Sequence, residues 1–118
     1  MQNPVVWFEI MSPAADTLRG FYRDLFHWEI NTDNPTGYGM VNTGSETGIQ
    51  GGIAQADGAE AQWVTVYIAV DDISRYLAAI AERGGTVVVP RTVAPDVTFA
   101  LFCDPAGNRI GLVERAPA

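Results

Sequence analysis

Lysine is absent from this chain of 118 residues, and cysteine and histidine occur once each, as Cys103 and His27. The seven basic residues are all arginines and are outnumbered by 14 acidic residues, so the formal net charge is −7. Nucleic acids and anionic membranes attract basic surfaces, so this charge predicts neither as a partner. A lone cysteine cannot form an internal disulfide bond, which favours a cytoplasmic location.

Long apolar runs are also missing from the sequence. No stretch approaches the roughly 20 apolar residues that span a bilayer. The first residues, Met-Gln-Asn-Pro, lack the basic and then apolar pattern of a signal peptide. The hydrophobic fraction of 47% and the chain length are typical of one globular domain with a single core.

The most regular pattern lies at residues 63–70, where side chains alternate strictly and predict a β-strand. The two faces are Val64, Val66, Ile68 and Val70 on one side and Trp63, Thr65, Tyr67 and Ala69 on the other. The aliphatic face is expected to pack on a helix. The opposite face carries an indole N–H and two hydroxyls, which suit the wall of a ligand cavity.

Two amphipathic helices are predicted from apolar stripes at helical spacing. The first follows Ser12 and Pro13, a cap and a first-turn proline, and the second follows Asp71 or Asp72 and ends at Gly84-Gly85. Their stripes are Leu18, Phe21, Tyr22 and Leu25, and Ile73, Tyr76, Leu77 and Ile80. Further strands are predicted at 5–10, 28–31, 38–43, 49–55, 86–90, 97–103 and 109–114.

The sequence repeats its own pattern, because a shift of 58 residues places Trp7 on Thr65 and Ile10 on Ile68. Each half has the order strand–helix–strand–strand–strand. The prediction is an α+β fold in one domain, residues 1–118, with two tandem βαβββ modules at about 4–56 and 62–115. A sheet covered by a helix on one side needs a second cover, so the modules are expected to form a half-open, barrel-like cleft.

Several motifs together resemble the vicinal oxygen chelate superfamily, the relatives of glyoxalase I, bleomycin-resistance proteins and extradiol dioxygenases. They are Phe8-Glu9-Ile10, Phe21-Tyr22, Trp28-Glu29-Ile30, Val70-Asp71-Asp72 and Asp104-Pro105-Ala106-Gly107-Asn108-Arg109. The resemblance covers essentially the whole chain, and the Asp-Pro-x-Gly-Asn turn is its most specific part. It implies a glyoxalase/bleomycin-resistance fold and a homodimer.

The resemblance also implies a divalent metal in some members, with one ligand from the first and one from the last strand of each module. Motif spacing places these positions on Trp7, on Thr65, on Gly111 and near Gln50 or Gly51. Indole and glycine cannot bind a metal, and threonine is a poor ligand without carboxylates. The sequence therefore predicts no metal site and no cofactor.

The predicted site is the cleft wall, a surface suited to a flat, partly aromatic ligand stacked on indole rings, with Glu9 offering a carboxylate to a cation or donor. The candidate ligand-binding residues are Trp7, Glu9, Tyr38, Met40, Gln50, Trp63, Thr65, Tyr67, Phe99, Leu101 and Gly111. Glu9 and Tyr67 are the candidates for catalysis. The alternatives are that Trp7 only fills space and that Glu9 is a structural acceptor.

Three functions are compatible with this pattern. The first is a metal-independent protein that binds a small, partly aromatic molecule, in sequestration or resistance of the bleomycin-resistance kind. The second is a metal-free isomerase, lyase or cyclase that uses Glu9 as acid or base. The third, a divalent-metal glyoxalase or dioxygenase, is disfavoured by the residues at the ligand positions. The sequence is compatible with a cleft completed within one chain and with one completed by two chains.

Overall fold

The computed structural model describes residues 2–115. Contacts divide them into two compact units, residues 7–65 and residues 2–6 together with 66–115. Residues 4–6, which the predicted first module includes, group with the second unit. A hydrogen bond of 2.9 Å from the backbone N–H of Ala69 to the carbonyl of Pro4 joins this segment to the rest of that unit.

The elements alternate as the repeat predicts. They are β1 (Val5–Ser12), α1 (Ala15–Phe26), β2 (Glu29–Asn31), β3 (Gly39–Asn42), β4 (Gln50–Gln55), a 3₁₀ turn (Ala59–Ala61), β5 (Trp63–Val70), α2 (Ile73–Glu82), β6 (Thr86–Val93), β7 (Thr98–Cys103) and β8 (Arg109–Glu114). The shift of 58 residues holds for the first strand and the helix start of each module, since Val5 corresponds to Trp63 and Ala15 to Ile73.

Both modules have the same strand order. The first runs β2-β3-β4-β1 and the second β6-β7-β8-β5. In each, the first strand pairs in parallel with the last strand, and the remaining pairs are antiparallel. The predicted α+β fold with two βαβββ modules is confirmed.

The core of the first module lies between α1 and its sheet. Ala15, Val41 and Ile53 are buried there, and Leu18 and Tyr22 of α1 pack against them. Phe21 and Leu25 were predicted to belong to the same stripe, but their exposed fractions are 50% and 58%. The predicted stripe is therefore half wrong, because the sheet covers only the side of α1 that carries Leu18 and Tyr22.

The start of α1 also differs from the prediction. Ser12 is the last residue of β1, and its Oγ accepts a hydrogen bond of 3.0 Å from the backbone N–H of Ala14. The helix begins only at Ala15 and has no side-chain cap. Ser12 thus stabilises the strand-to-helix turn, a local role that serine also favours, instead of capping the first helical turn.

Helix α2 of the second module follows its predicted pattern closely. Asp72 caps α2 by accepting a hydrogen bond of 3.1 Å from the N–H of Arg75, and Gly84, with φ 93°, follows the helix end. The core comprises Val70, Ile73, Leu77, Ala100, Phe102 and Leu112, with Ile68, Tyr76, Ile80 and Ile110 packed against it.

Two predictions about the strands of the second module are wrong. Val64 is 72% exposed and does not pack on a helix, because α2 covers Ile68 and Val70 at the other end of β5. Strand β6 continues past Pro90 to Val93. It is the outermost strand of its sheet, where proline is tolerated, and its pairing with β7 shifts register on both sides of Val89.

Within residues 2–115, neither helix has the length and apolar character needed to cross a membrane.

Candidate functional site

The face of the first module that points away from α1 carries its candidate residues. Phe8 and Ile10 of β1 pack in the helix-covered core, so Trp7 and Glu9 point to the opposite face. In the strand register Trp7 lies beside Gln50, and both Glu9 and Met40 lie beside Gly52. This register places Gln50 and Met40 on the same face as Trp7 and Glu9.

A chain of hydrogen bonds joins Trp7 and Glu9 to Tyr38, the residue before β3. The indole N–H of Trp7 donates to the hydroxyl of Tyr38 over 3.2 Å, and that hydroxyl donates to Oε2 of Glu9 over 2.8 Å. All three residues are half-buried. We call them the Trp7–Tyr38–Glu9 trio.

The turn before β3 fixes the position of Tyr38. The side chain of Asn34 accepts a hydrogen bond of 3.0 Å from the N–H of Tyr38 and donates one of 2.7 Å to its carbonyl. Gly37 takes a positive φ of 69°, which glycine adopts at low cost. Asn34-Pro35-Thr36-Gly37 is thus the predicted turn, and it positions the hydroxyl of Tyr38 next to Trp7 and Glu9 of β1.

Burial raises the pKa of Tyr38 far above its usual value near 10, and the neighbouring Glu9 carboxylate raises it further. The indole of Trp7 acts in the opposite direction by donating to the hydroxyl. The phenol therefore stays neutral at physiological pH and keeps its proton directed at Glu9.

Gly52 is required by the position of Tyr38. A Cβ atom at residue 52 would overlap the hydroxyl and ring of Tyr38, which lie directly over the glycine. The Gly51-Gly52 pair is visible in the sequence, but its function is to make room for aromatic rings, since Phe8 covers Gly51 on the other face.

Gln50 is a candidate whose amide points toward the β3–β4 connection. Its Oε1 accepts a hydrogen bond of 2.7 Å from the N–H of Thr43, and its Nε2 donates one of 3.1 Å to Asn42. Met40, with an exposed fraction of 45%, remains open to solvent on the same face.

In the second module, the remaining candidates lie on the face away from α2. Tyr67 and Leu101 both lie beside Gly111 in the register, and Phe99 lies beside Val113. Tyr67 is 6% exposed, and its ring occupies the place of a Cβ atom at Gly111.

Trp63 and Thr65 lie at the start of β5, on the same side of the strand as Tyr67. Trp63 is half-buried and Thr65 is 2% exposed. The Oγ1 atom of Thr65 has no hydrogen-bond partner among residues 2–115.

Arg109 is a residue of this face that sequence reasoning missed. It lies beside Cys103 in the register and, by the alternation of β8, on the same side as Gly111. The alternation was visible in the sequence, because Ile110 and Leu112 were clearly apolar.

The residues of either module, taken by itself, do not fit a metal site. The described residues contain no group of three or more histidine, cysteine, aspartate or glutamate side chains that could hold an ion. Gly111 has no side chain, and Tyr67 fills the space where one would begin. In the register, the position equivalent to Gly111 is Gly52, not Gln50 or Gly51 as motif spacing predicted, and Tyr38 fills that space likewise.

The profile of the family described as "Glyoxalase-like domain" matches residues 7–113. No curated protein matches the chain in sequence.

Solved structures share the fold at low identity. A hypothetical protein from Bacillus halodurans C-125 has a TM-score of 0.71 and 14% identity, covering 100% of this chain and 98% of its own. For methylmalonyl-CoA epimerase from Mycobacterium tuberculosis these values are 0.65, 18%, 96% and 88%. For a glyoxalase/bleomycin resistance protein/dioxygenase superfamily member from Vibrio splendidus 12B01 they are 0.63, 14%, 96% and 98%.

The profile match covers most of the chain, and the two βαβββ modules agree with it. The chain therefore belongs to the glyoxalase-like family of the vicinal oxygen chelate superfamily.

Proposed function

We propose that this protein binds a small, partly aromatic molecule, without a metal, on the face that carries the Trp7–Tyr38–Glu9 trio. The observation that carries the proposal is the trio itself. Two aromatic side chains and a carboxylate are held in one arrangement by two hydrogen bonds, on a half-buried surface. Such a combination of apolar area and a few fixed polar groups is typical of small-molecule sites.

Stacking on aromatic rings supplies most of the binding energy in this proposal. An indole offers a large, rigid apolar surface, and ring pairs contribute about 0.5–1.5 kcal/mol beyond the burial of area. The hydrogen bond to Tyr38 holds the indole of Trp7 in place, so less conformational entropy is lost when a ligand stacks on it. Sequestration, as in bleomycin resistance, needs no more than such a surface.

Metal independence is part of the proposal. It is supported by Gly111, which has no side chain at a position where the superfamily resemblance implies a metal ligand, and by the ring of Tyr67, which fills the space beside it. No histidine lies on the strands of either module, since His27 ends α1.

A metal-free enzyme of isomerase, lyase or cyclase type is the second candidate. It is favoured by the bond of 2.8 Å between Glu9 and the phenol of Tyr38, because acid–base catalysis needs titratable groups within such reach. The fold alone does not decide between binding and catalysis. Methylmalonyl-CoA epimerase shares this fold, so an enzymatic role is compatible with it.

We also propose a cellular location, the absence of two classes of partner and an oligomeric state. The acidic net charge and the lone cysteine support a cytoplasmic protein without nucleic-acid or membrane partners. The superfamily resemblance supports a homodimer, which light scattering after size-exclusion chromatography would test.

The experiment begins with mass spectrometry of small molecules that co-purify with the protein, followed by a thermal-shift screen of aromatic metabolites. A ligand of the folded state raises the melting temperature. Each hit is then titrated into Trp7→Ala and into Phe21→Ala, which removes a half-exposed ring on α1 instead. We expect Trp7→Ala to weaken binding by about tenfold or more and Phe21→Ala to leave it unchanged. Equal affinities in the two variants would contradict the proposed site.

The same hits separate binding from catalysis. Each is incubated with the wild type and with Glu9→Gln, and products are sought by mass spectrometry. Turnover by the wild type that is lost in Glu9→Gln, with binding retained, would establish the enzyme. Binding without conversion in both proteins supports sequestration.

A further inference from the structure

A groove of about 400 Å³ lies in the second module, between the side of α2 and the turn that joins β7 to β8. Small-molecule sites commonly have volumes of about 300–1,000 Å³. Most of the lining is apolar and comes from Tyr76, Ala79, Ile80, Phe102 and Pro105. None of these five is a candidate ligand-binding residue of the proposed function, and we call the site the α2 groove.

The floor of the α2 groove is part of the hydrophobic core. Phe102 is a buried member of that core, and Ile80 packs against it. Gly85 lets the backbone approach Ile80, because a Cβ atom at residue 85 would overlap Cγ2 of that side chain. Close-packed core side chains have little freedom to rearrange, so the apolar floor is formed before a ligand arrives.

One wall of the α2 groove is held by a network of polar contacts. The hydroxyl of Tyr76 donates a hydrogen bond of 3.2 Å to Oδ1 of Asn3, and the guanidinium of Arg75 lies 5.1 Å from the centre of the Tyr76 ring. Arg75 is itself bound to Asp71 over 2.7 Å. These contacts fix the ring in advance, which reduces the conformational entropy that a ligand must overcome.

Two charged residues, Arg83 and Asp104, also line the α2 groove. The carboxylate of Asp104 is engaged in its own turn, where it accepts from the backbone N–H groups of Ala106 and Asn108 and from Nδ2 of Asn108. Arg83 follows the last residue of α2, is exposed, and has no partner for its guanidinium among residues 2–115. Arg83 is therefore the charged group that the groove offers to a ligand.

The two modules also differ in charge. Residues 7–65 contain eight acidic residues and two arginines, whereas residues 66–115 contain six acidic residues and five arginines. A negatively charged ligand is thus opposed much less by the second module than by the first. At the end of α2 the carbonyl of Ile80 accepts from the N–H groups of Arg83 and Gly85, which reduces the negative potential of the helix end beside the groove.

We propose that the α2 groove binds a small carboxylic acid whose body is aromatic or branched aliphatic. The body covers Ile80 and Phe102, and the carboxylate pairs with the guanidinium of Arg83. A planar guanidinium matches a carboxylate through two parallel hydrogen bonds, which an alcohol or an amine does not offer. This site is additional to the one of the proposed function, and neither depends on the other.

Three compounds with the same phenylpropyl body test the inference: 3-phenylpropionate as the anion, 3-phenylpropanol as the neutral alcohol and 3-phenylpropylamine as the cation. Each is titrated into ¹⁵N-labelled protein, and the shift of the backbone amide of Gly85, which lines the α2 groove, gives the affinity. We expect the anion to bind about three- to fivefold more tightly than the alcohol, as for a solvent-exposed ion pair, and the cation to bind most weakly. The preference for the anion should narrow at high salt.

Three variants show whether the groove and Arg83 are the cause. Arg83→Gln should abolish the preference for the anion, whereas Arg23→Gln, the same change at an exposed arginine of α1, should preserve it. Ala79→Leu enlarges a side chain of the lining and should weaken the binding of all three compounds. Equal binding of the three compounds by the wild type, an unchanged preference in Arg83→Gln, or undiminished binding by Ala79→Leu would each overturn the inference.

The indole N–H resonance of Trp7, assigned with Trp7→Phe, is followed in the same titrations. Shifts at Trp7 without shifts at Gly85 would locate the compounds at the trio, which overturns this inference and agrees with the proposed function. Shifts at neither residue would also overturn it. Shifts at Gly85 that depend on Arg83 support the inference, whatever the outcome at Trp7.

Discussion

The ring of Tyr67 lies against the backbone of Gly111 and occupies the space of the Cβ atom that any other residue would have there. The two residues are neighbours in the register of β5 and β8, and both are buried. A side chain at residue 111 and a ring at residue 67 therefore exclude each other. The same relationship holds between Tyr38 and Gly52 in the first module.

We predict that Gly111→Ala lowers the free energy of unfolding by about 1–3 kcal/mol, because the added methyl group overpacks the site. In a Tyr67→Ala background the same change should cost less than about 1 kcal/mol, since the ring is gone. Urea denaturation of the four proteins measures this coupling. If the cost of Gly111→Ala were equal in both backgrounds, the ring could not be what requires the glycine.

Gly20 gives the opposite prediction. It lies inside α1, and a Cβ atom there would meet only Nη2 of Arg23, at an ordinary contact distance of 3.7 Å. Gly20→Ala should therefore stabilise the protein, by up to about 1 kcal/mol, through helix propensity. A rise in the urea midpoint checks it, and a fall would show that the glycine has a packing role that the structure does not reveal.

Tyr38→Phe removes the hydroxyl that joins the trio. Trp7 and Glu9 each lose a hydrogen-bond partner on a half-buried surface, so we expect a loss of about 1–3 kcal/mol in the free energy of unfolding. The indole N–H resonance of Trp7 should shift at the same time. Tyr22→Phe is the matched control, because its ring stacks on Trp28 and its hydroxyl forms no hydrogen bond among the residues described. A smaller loss in Tyr38→Phe than in the control would contradict the trio.

Glu114 makes stability depend on pH in the acid range. Both carboxylate oxygens accept from Arg91, and Oε2 also accepts from the N–H of Ile73, which together lower the pKa from 4.5 to about 2. A pKa lower in the folded than in the unfolded state stabilises the fold above about pH 4.5. This contribution is lost progressively as the pH falls toward 2.

Glu114→Gln should therefore flatten the dependence of the free energy of unfolding on pH between about 4.5 and 2. Denaturation curves at several pH values measure the slope, with Glu29→Gln as a control on an exposed strand. An unchanged slope in Glu114→Gln would mean that the bonds to Arg91 and Ile73 do not stabilise the folded state in this range.

Local patterns in the sequence were sufficient to predict much of the fold. The bounds of β8 were predicted without error, and Asp72 and Gly84 mark the ends of α2 because caps and left-handed stops depend on neighbouring residues alone. Alternation also assigned Trp7 and Glu9 to the face away from the helix. Ser12 and Pro13 together predicted a helix start two residues too early, because Ser12 accepts from the N–H of Ala14 in a turn and does not cap the helix.

Contacts between residues far apart in the chain could not be predicted from the sequence. Alternation assigns a side chain to a face, but it does not reveal that the turn at residues 34–37 brings the hydroxyl of Tyr38 between Trp7 and Glu9. It likewise does not reveal that Gly52 and Gly111 are small because tyrosine rings cover them. The exposure of Val64 depends on where α2 ends over the sheet, which is again a tertiary property.

The most direct test of metal-free binding at the trio is one titration under two conditions. An aromatic compound that raises the melting temperature in the thermal-shift screen is titrated into protein dialysed against a chelator, and into the same protein supplied with one equivalent of diamagnetic Zn²⁺, while the indole N–H resonance of Trp7 is followed. We predict dissociation constants that agree within about twofold under all conditions. Binding that appears only with a metal, or that a metal strengthens by about tenfold or more, would contradict the account.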